Sequence, residues 1–101
     1  MKLYYSPGAC SLSPHIALRE AGLPFDLALA STKTKKLADG SDYLQINPKG
    51  QVPMLELDSG ERLTEGPVIA QYIADLAPAS GLAPAAGTMA RYRLMEWLNF
   101  I

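Results

Sequence analysis

Only one cysteine and one histidine occur among the 101 residues. A lone cysteine has no partner for an internal disulfide. Without a CxxC pair or a Cys/His cluster there is also no ligand set for a metal. Charge of one sign is missing too. Nine Lys and Arg stand against ten Asp and Glu, a formal net charge of −1, and no basic stretch exceeds Lys33, Lys35 and Lys36. Binding to a nucleic-acid backbone needs a denser basic surface than that. No apolar run approaches the ~20 residues of a membrane helix. Pro7 and Gly8 follow Met1–Tyr5 too soon for a signal-peptide core. Neither GxGxxG nor GxxxxGKS occurs, so no phosphate-cradling loop for a nucleotide is encoded. These absences predict a soluble protein of the reducing cytoplasm, with no metal, nucleotide, nucleic-acid or membrane partner.

What is present suits one globular core. Hydrophobic residues make up 49% and charged residues 19%, ordinary values for a folded domain. A chain of this length buries roughly two-thirds of its unfolded surface. Lys2–Tyr5 reads as a short strand. Ser13 suits a helix cap with Pro14 as the first helical residue, where its missing N–H costs nothing. Gly22 and Pro24 end that helix. Phe25, Leu27 and Leu29 alternate with Asp26 and Ala28, the period of a strand. Thr34–Ile46 is polar and reads as weakly helical. Met54, Leu55 and Leu57 predict a strand, Asp58–Gly60 a turn, and Arg62–Leu63 a return strand. Over Glu65–Leu76, the residues Val68, Ile69, Tyr72, Ile73 and Leu76 predict one core-facing helical stripe.

This order, βαβ followed by a hairpin and a helix, is that of the thioredoxin fold: an α/β domain with a mixed four-stranded sheet flanked by helices. The small-residue stretch Ala77–Thr88 carries Pro78, Gly81, Pro84 and Gly87, which break helix and strand alike. The expected organisation is a domain over 1–77, a linker over 78–87, and the start of an all-helical unit over 88–101. From Leu94 to Ile101 the last helix is apolar around most of its circumference. The chain stops inside it, so a fragment of a longer protein is expected.

Three positions carry chemistry. Cys10 precedes the first helix, whose N-terminus offers free N–H groups and a partial positive charge that favour an anionic sulfur. Cys10-Ser11-Leu12-Ser13 has the form of a CxxC redox motif without its second cysteine, so only an external thiol can pair with Cys10. Inert burial is the plainer alternative for a free cysteine. Gln51-Val52-Pro53 precedes a strand, where a cis Val52–Pro53 bond would turn the Val52 N–H and C=O outward to pair with an extended peptide. An ordinary strand start is the alternative there. Glu65-Gly66-Pro67 opens the clearest helix. Glu65 can accept from an ammonium, and Gly66 lets a carboxylate approach the helix N-terminus. Together they suit an α-amino-acid group, although a Glu that merely complements the helix dipole would look the same. His15 and the tyrosines carry no such signal.

The strings Tyr5-Ser6-Pro7-Gly8-Ala9-Cys10-Ser11, Asn47-Pro48-Lys49-Gly50-Gln51-Val52-Pro53 and Leu63-Thr64-Glu65-Gly66 resemble those of the bacterial beta-class glutathione transferases, and the resemblance runs the length of the chain. It implies that Val52, beside a cis Pro53, pairs with the cysteinyl unit of glutathione. It places Glu65 and Gly66 at the γ-glutamyl end, and Lys35 and Gln51 toward the glycyl end. Cys10 matches a position beside the glutathione sulfur that can form a mixed disulfide with it. Tyr5 and Ser11 are candidates for an auxiliary share, and Asn99 matches a position that reaches the site from the next helix. The implied activity is attack of the glutathione thiolate, as co-substrate, on a small electrophile, by a protein that is a homodimer at full length. A glutaredoxin-like redox enzyme working through Cys10, and a non-catalytic glutathione-binding or docking module, are the alternatives.

Overall fold

The structure, a computed structural model, describes residues 1–101. Strand β1 (Lys2–Tyr5) leads to helix α1 (Leu12–Ala21) and strand β2 (Asp26–Leu29). Strands β3 (Met54–Glu56) and β4 (Arg62–Thr64) form the hairpin, and helices α2 (Gly66–Leu76) and α3 (Met89–Phe100) follow. The sheet order is β2-β1-β3-β4. β1 runs parallel to β2 and antiparallel to β3, which pairs antiparallel with β4. This is the mixed four-stranded sheet expected of a thioredoxin-like domain. No helix is long and apolar enough to cross a membrane.

Successive strand residues face opposite sides of a sheet, and here both sides are covered. Leu3 and Leu55 are register partners. They pack with Leu18 of α1 and with Ile69 and Ile73 of α2 in one fully buried cluster. Tyr4 and Met54 are the next pair, and they join Ala30 and Tyr43 in a second cluster on the other face. That second face is covered by the segment between β2 and β3, not by a helix.

Several local expectations shift. α1 begins at Leu12, ahead of the expected Ser13 cap; Ser11 takes the N-cap place at φ −67° and makes no capping bond. Pro14 therefore sits in the third helical position, which tolerates it because the first four N–H groups have no intrahelical partner. At the other end Gly22 adopts φ 69°, donating to Arg19, while Leu23 donates to Leu18, a glycine-dependent stop. The weak helix expected over Thr34–Ile46 is absent. Isolated bridges Ala30–Leu37 and Lys36–Asp42 take its place, followed by one 3₁₀ turn, Tyr43–Gln45, capped by the Asp42 side chain. Short polar side chains there bind nearby backbone, as Asp39 does with the Ser41 N–H at 2.8 Å, and so compete with a helix. Leu57 lies in the hairpin turn, donating to Glu61. The stripe on α2 is narrower than expected: Ile69 and Ile73 are buried, but Val68 and Leu76 are exposed.

Within the small-residue stretch, Pro78–Ser80 forms a 3₁₀ turn. Thr88 then caps α3, its side chain accepting from the Arg91 N–H at 3.2 Å. Arg91 is itself buried and donates to Gln71, to the Pro84 carbonyl and to Asp75 at 3.2, 2.7 and 2.6 Å. One cation thus joins α3, α2 and the connecting segment.

Candidate functional site

One cavity of about 740 Å³ opens where the loop before α1, the segment after β2, the approach to β3 and the start of α2 meet. Of the residues singled out from sequence, Cys10, Lys35, Gln51, Val52, Pro53, Glu65 and Gly66 line it. Tyr5, Ser11 and Asn99 do not.

Ser6 to Ala9 form a tight turn closed by the Ala9 N–H on the Ser6 carbonyl at 3.2 Å. Ser11 locks this turn from behind. Its buried hydroxyl donates to the Ser6 carbonyl and accepts from the Ser6 N–H, both at 3.1 Å. Its hydrogen-bonding capacity goes into shaping the loop that presents Cys10. Cys10 is exposed, which excludes the inert-core reading. The Cys10, Ser11 and Ser13 N–H groups have no acceptor within the chain.

The Val52–Pro53 bond is cis. Neither the N–H nor the C=O of Val52 has a partner in the chain, so this residue offers the cavity a free donor and a free acceptor, as an edge strand does. Lys35 adopts φ 59°, and its ammonium donates to the Gly50 carbonyl at 2.9 Å. Gly50 has φ 66°, a left-handed backbone that favours glycine, and a Cβ on it would crowd Leu44 Cδ2 at 2.8 Å and the Lys35 stem at 3.3 Å.

Glu65 precedes α2 with φ 72° and ψ 116°, a backbone conformation that costs a non-glycine residue about 1–3 kcal/mol and clusters at functional sites. Its carboxylate does not cap the helix. It accepts from Lys49 Nζ at 3.2 Å, and that ammonium also donates to Thr64 Oγ1 at 3.0 Å. Both side chains are more than half exposed, so the pair contributes little to stability. A Cβ on Gly66 would meet only Pro53 Cγ at 3.9 Å, so nothing in the chain itself requires glycine there. The cavity thus carries a cation at Lys35, an anion at Glu65, a free peptide edge at Val52 and a thiol at Cys10.

Tyr5 lies at the end of β1, its ring 6.0 Å from that of His15. Asn99 is exposed on α3 and donates to the Met95 carbonyl at 2.8 Å. Its neighbours Leu98 and Ile101, together with Thr32 and Ala70, line the cavity and escaped the sequence reading; the apolar run at the chain end was the signal for the first two. Two groups are shifted in pKa. Burial raises the Tyr43 phenol, against the opposing hydrogen bond from Asn47, with Tyr4 adding to the rise. Asp39, far out in solvent, is lowered by hydrogen bonds from the Ser41 hydroxyl and N–H.

Residues 8–76 match the family model of the glutathione S-transferase N-terminal domain. Glutathione S-transferase GstA of Escherichia coli O157:H7 is 52% identical over the whole chain, which covers 50% of that protein. The ternary complex of BphK, a bacterial GST, superposes with a TM-score of 0.97 at 64% identity, covering 100% of this chain and 50% of that one. A sphingomonad glutathione S-transferase complexed with glutathione gives 0.94 at 58% identity, with 99% and 50% covered. The chain spans about half the length of the curated relatives first matched. With a family model matched from Gly8 to Leu76 and the thioredoxin-like sheet in place, the chain belongs to the glutathione S-transferase family, to its N-terminal domain.

Proposed function

We propose that the cavity binds glutathione along the Val52 edge, with its sulfur beside Cys10, and that the whole protein directs this sulfur at a small electrophile. The observation that carries the reading is the unpaired N–H and C=O of Val52 on the same cavity as Glu65, Gly66 and Cys10. A cysteinyl unit in extended form pairs with such an edge. The γ-glutamyl end brings an ammonium for Glu65 and a carboxylate for the start of α2. Lys35 and Gln51 flank the glycyl carboxylate. Binding then works chiefly by orientation: the thiolate attacks an electrophilic carbon, the new C–S bond forms, and the leaving group departs with the displaced electron pair. A similar solved structure is described as a complex with glutathione, which supports the ligand. In this reading residues 1–77 are the glutathione-binding unit and 78–87 the linker. Residues 88–101 begin an all-helical unit of a cytoplasmic homodimer, with Asn99 turning to the ligand.

A second reading draws on the exposed thiol at the cavity. Cys10 would attack glutathione disulfide, form a mixed disulfide and release one glutathione thiolate. Mass spectrometry separates the two: a Cys10–glutathione adduct accumulating during turnover favours exchange, and thioether product alone favours conjugation.

The ligand assignment is tested by binding glutathione and its N-acetyl derivative to the native chain and to Glu65→Gln. The native chain is expected to prefer glutathione on the order of tenfold or more, since a hydrogen bond to a charged group is worth about 1.5–3 kcal/mol. Glu65→Gln is expected to erase most of that preference. Equal binding of both ligands by the native chain contradicts the assignment.

A further inference from the structure

Behind the cavity wall lies a buried phenol. Tyr43 is fully enclosed, its ring 5.5 Å from that of Tyr4, and it is absent from the cavity lining. Its hydroxyl donates to the Gln51 carbonyl at 2.8 Å. Asn47 Nδ2 donates to the same carbonyl at 2.9 Å and to the Tyr43 oxygen at 3.4 Å. Asn47 Oδ1 in turn accepts from the Lys49 N–H at 3.2 Å. The Tyr43 backbone reaches the other polar loop, its N–H donating to the Lys35 carbonyl at 2.9 Å.

One residue therefore fastens the two loops that bring Lys35 and Val52 to the cavity. The segment Asn47–Pro53 forms neither helix nor strand. Ordering such a chain at the moment of binding would cost about 1–2 kcal/mol per residue. Here the Gly50 carbonyl is held by Lys35 and the Gln51 carbonyl by Tyr43 and Asn47, so the Val52 N–H, which shares one planar peptide group with the Gln51 carbonyl, is left free and fixed. A phenol titrates at about 10 even when free, and burial raises this one further, so the hydroxyl is a donor across neutral pH.

We infer that Tyr43 is a positioning residue for the ligand edge: with Asn47 it clamps the Gln51 carbonyl and thereby pre-orders the Val52 backbone for the cysteinyl unit. The inference rests on the glutathione reading above. Its test is amide hydrogen exchange of the whole 101-residue chain, with and without saturating glutathione, in the native sequence, Tyr43→Phe and Asn47→Ser. Tyr43→Phe keeps the ring and removes one hydroxyl. It is expected to retain the fold, to weaken glutathione binding roughly threefold to tenfold, the range of one lost hydrogen bond, and to lose glutathione protection at the Val52 N–H but not at the Gly66 N–H. Asn47→Ser, which removes the other donor to the same carbonyl, is expected to show the same selective loss. Native affinity and native Val52 protection in both variants overturn the inference. A parallel loss at Val52 and Gly66 overturns it as well, because it marks general destabilisation. If glutathione protects neither amide in the native chain, the glutathione reading fails and the inference with it, a result distinct from the other two.

Discussion

The sheet with α1 and α2 encloses Leu3, Leu18, Leu55, Ile69 and Ile73 completely, whereas α3 leaves Trp97, Phe100 and Ile101 exposed by 67%, 81% and 98%. In the first region apolar side chains meet from four elements; in the second no residue of α3 belongs to either buried hydrophobic cluster. What α3 buries instead is Arg91, only 2% exposed. Its guanidinium meets Gln71, Asp75 and the Pro84 carbonyl. An apolar core is non-directional and cooperative over many contacts. A buried guanidinium bears a desolvation cost, offset only while its partners stay in place. The difference teaches that the two walls of the cavity are held unequally: Cys10, Val52 and Glu65 sit on the core-packed body, while Leu98 and Ile101 sit on the polar-tethered helix.

The comparison can be broken most severely at Leu55. Leu55→Ala removes a fully buried residue shared by sheet and helices and is expected to cost about 2–5 kcal/mol, a large share of the stability of a domain this size. Denaturant unfolding should show it, with glutathione binding lost at the same denaturant concentration as the fold. Next is Arg91→Ala, expected to cost on the order of 2 kcal/mol in local hydrogen bonds. Amide exchange should speed up along α3 while the β1 and β3 amides keep their protection. Equal acceleration everywhere would mean that the arginine supports the body as well. The smallest effect is confined to alkaline pH. The phenol of Tyr43 titrates higher folded than unfolded, so the folded state holds this proton more tightly. Its contribution is full below the ordinary tyrosine value of about 10 and is lost as pH rises through the folded value. Tyr43→Phe should therefore flatten the alkaline fall in stability relative to the native chain. Identical alkaline slopes would contradict the burial of this hydroxyl.

Much of the body was legible from period and punctuation. β1, β2, the hairpin and α2 follow from two- and 3.6-residue patterns, and Gly22 marks the end of α1 by its φ of 69°. The convergence of Cys10, Val52 and Glu65 was legible only by combining three strings, each weak by itself. The segment from Ser31 to Gln45 was not legible, because tertiary packing decides it: Tyr43 is drawn under the sheet, and Lys35 takes a φ of 59° that no propensity would assign. Arg91 was missed because a charge on an exposed-looking helix reads as solvated surface. The φ of 72° at Glu65 leaves no mark in a sequence, since glycine would be the expected residue for it. Val68 and Leu76 misled for the opposite reason. They fit the apolar period of α2, but of that stripe only Ile69 and Ile73 are buried, with Tyr72 packed against their cluster.

The central claim is that Val52, Glu65 and Gly66, all on the core-packed body, form a glutathione site that does not depend on the cysteine sulfur for affinity. Calorimetric titration of glutathione into this chain and into Cys10→Ala tests it most directly. The account predicts saturable one-to-one binding by both proteins, with affinities close to each other. Absence of binding by both folded proteins, or binding only where Cys10 is present, would contradict it.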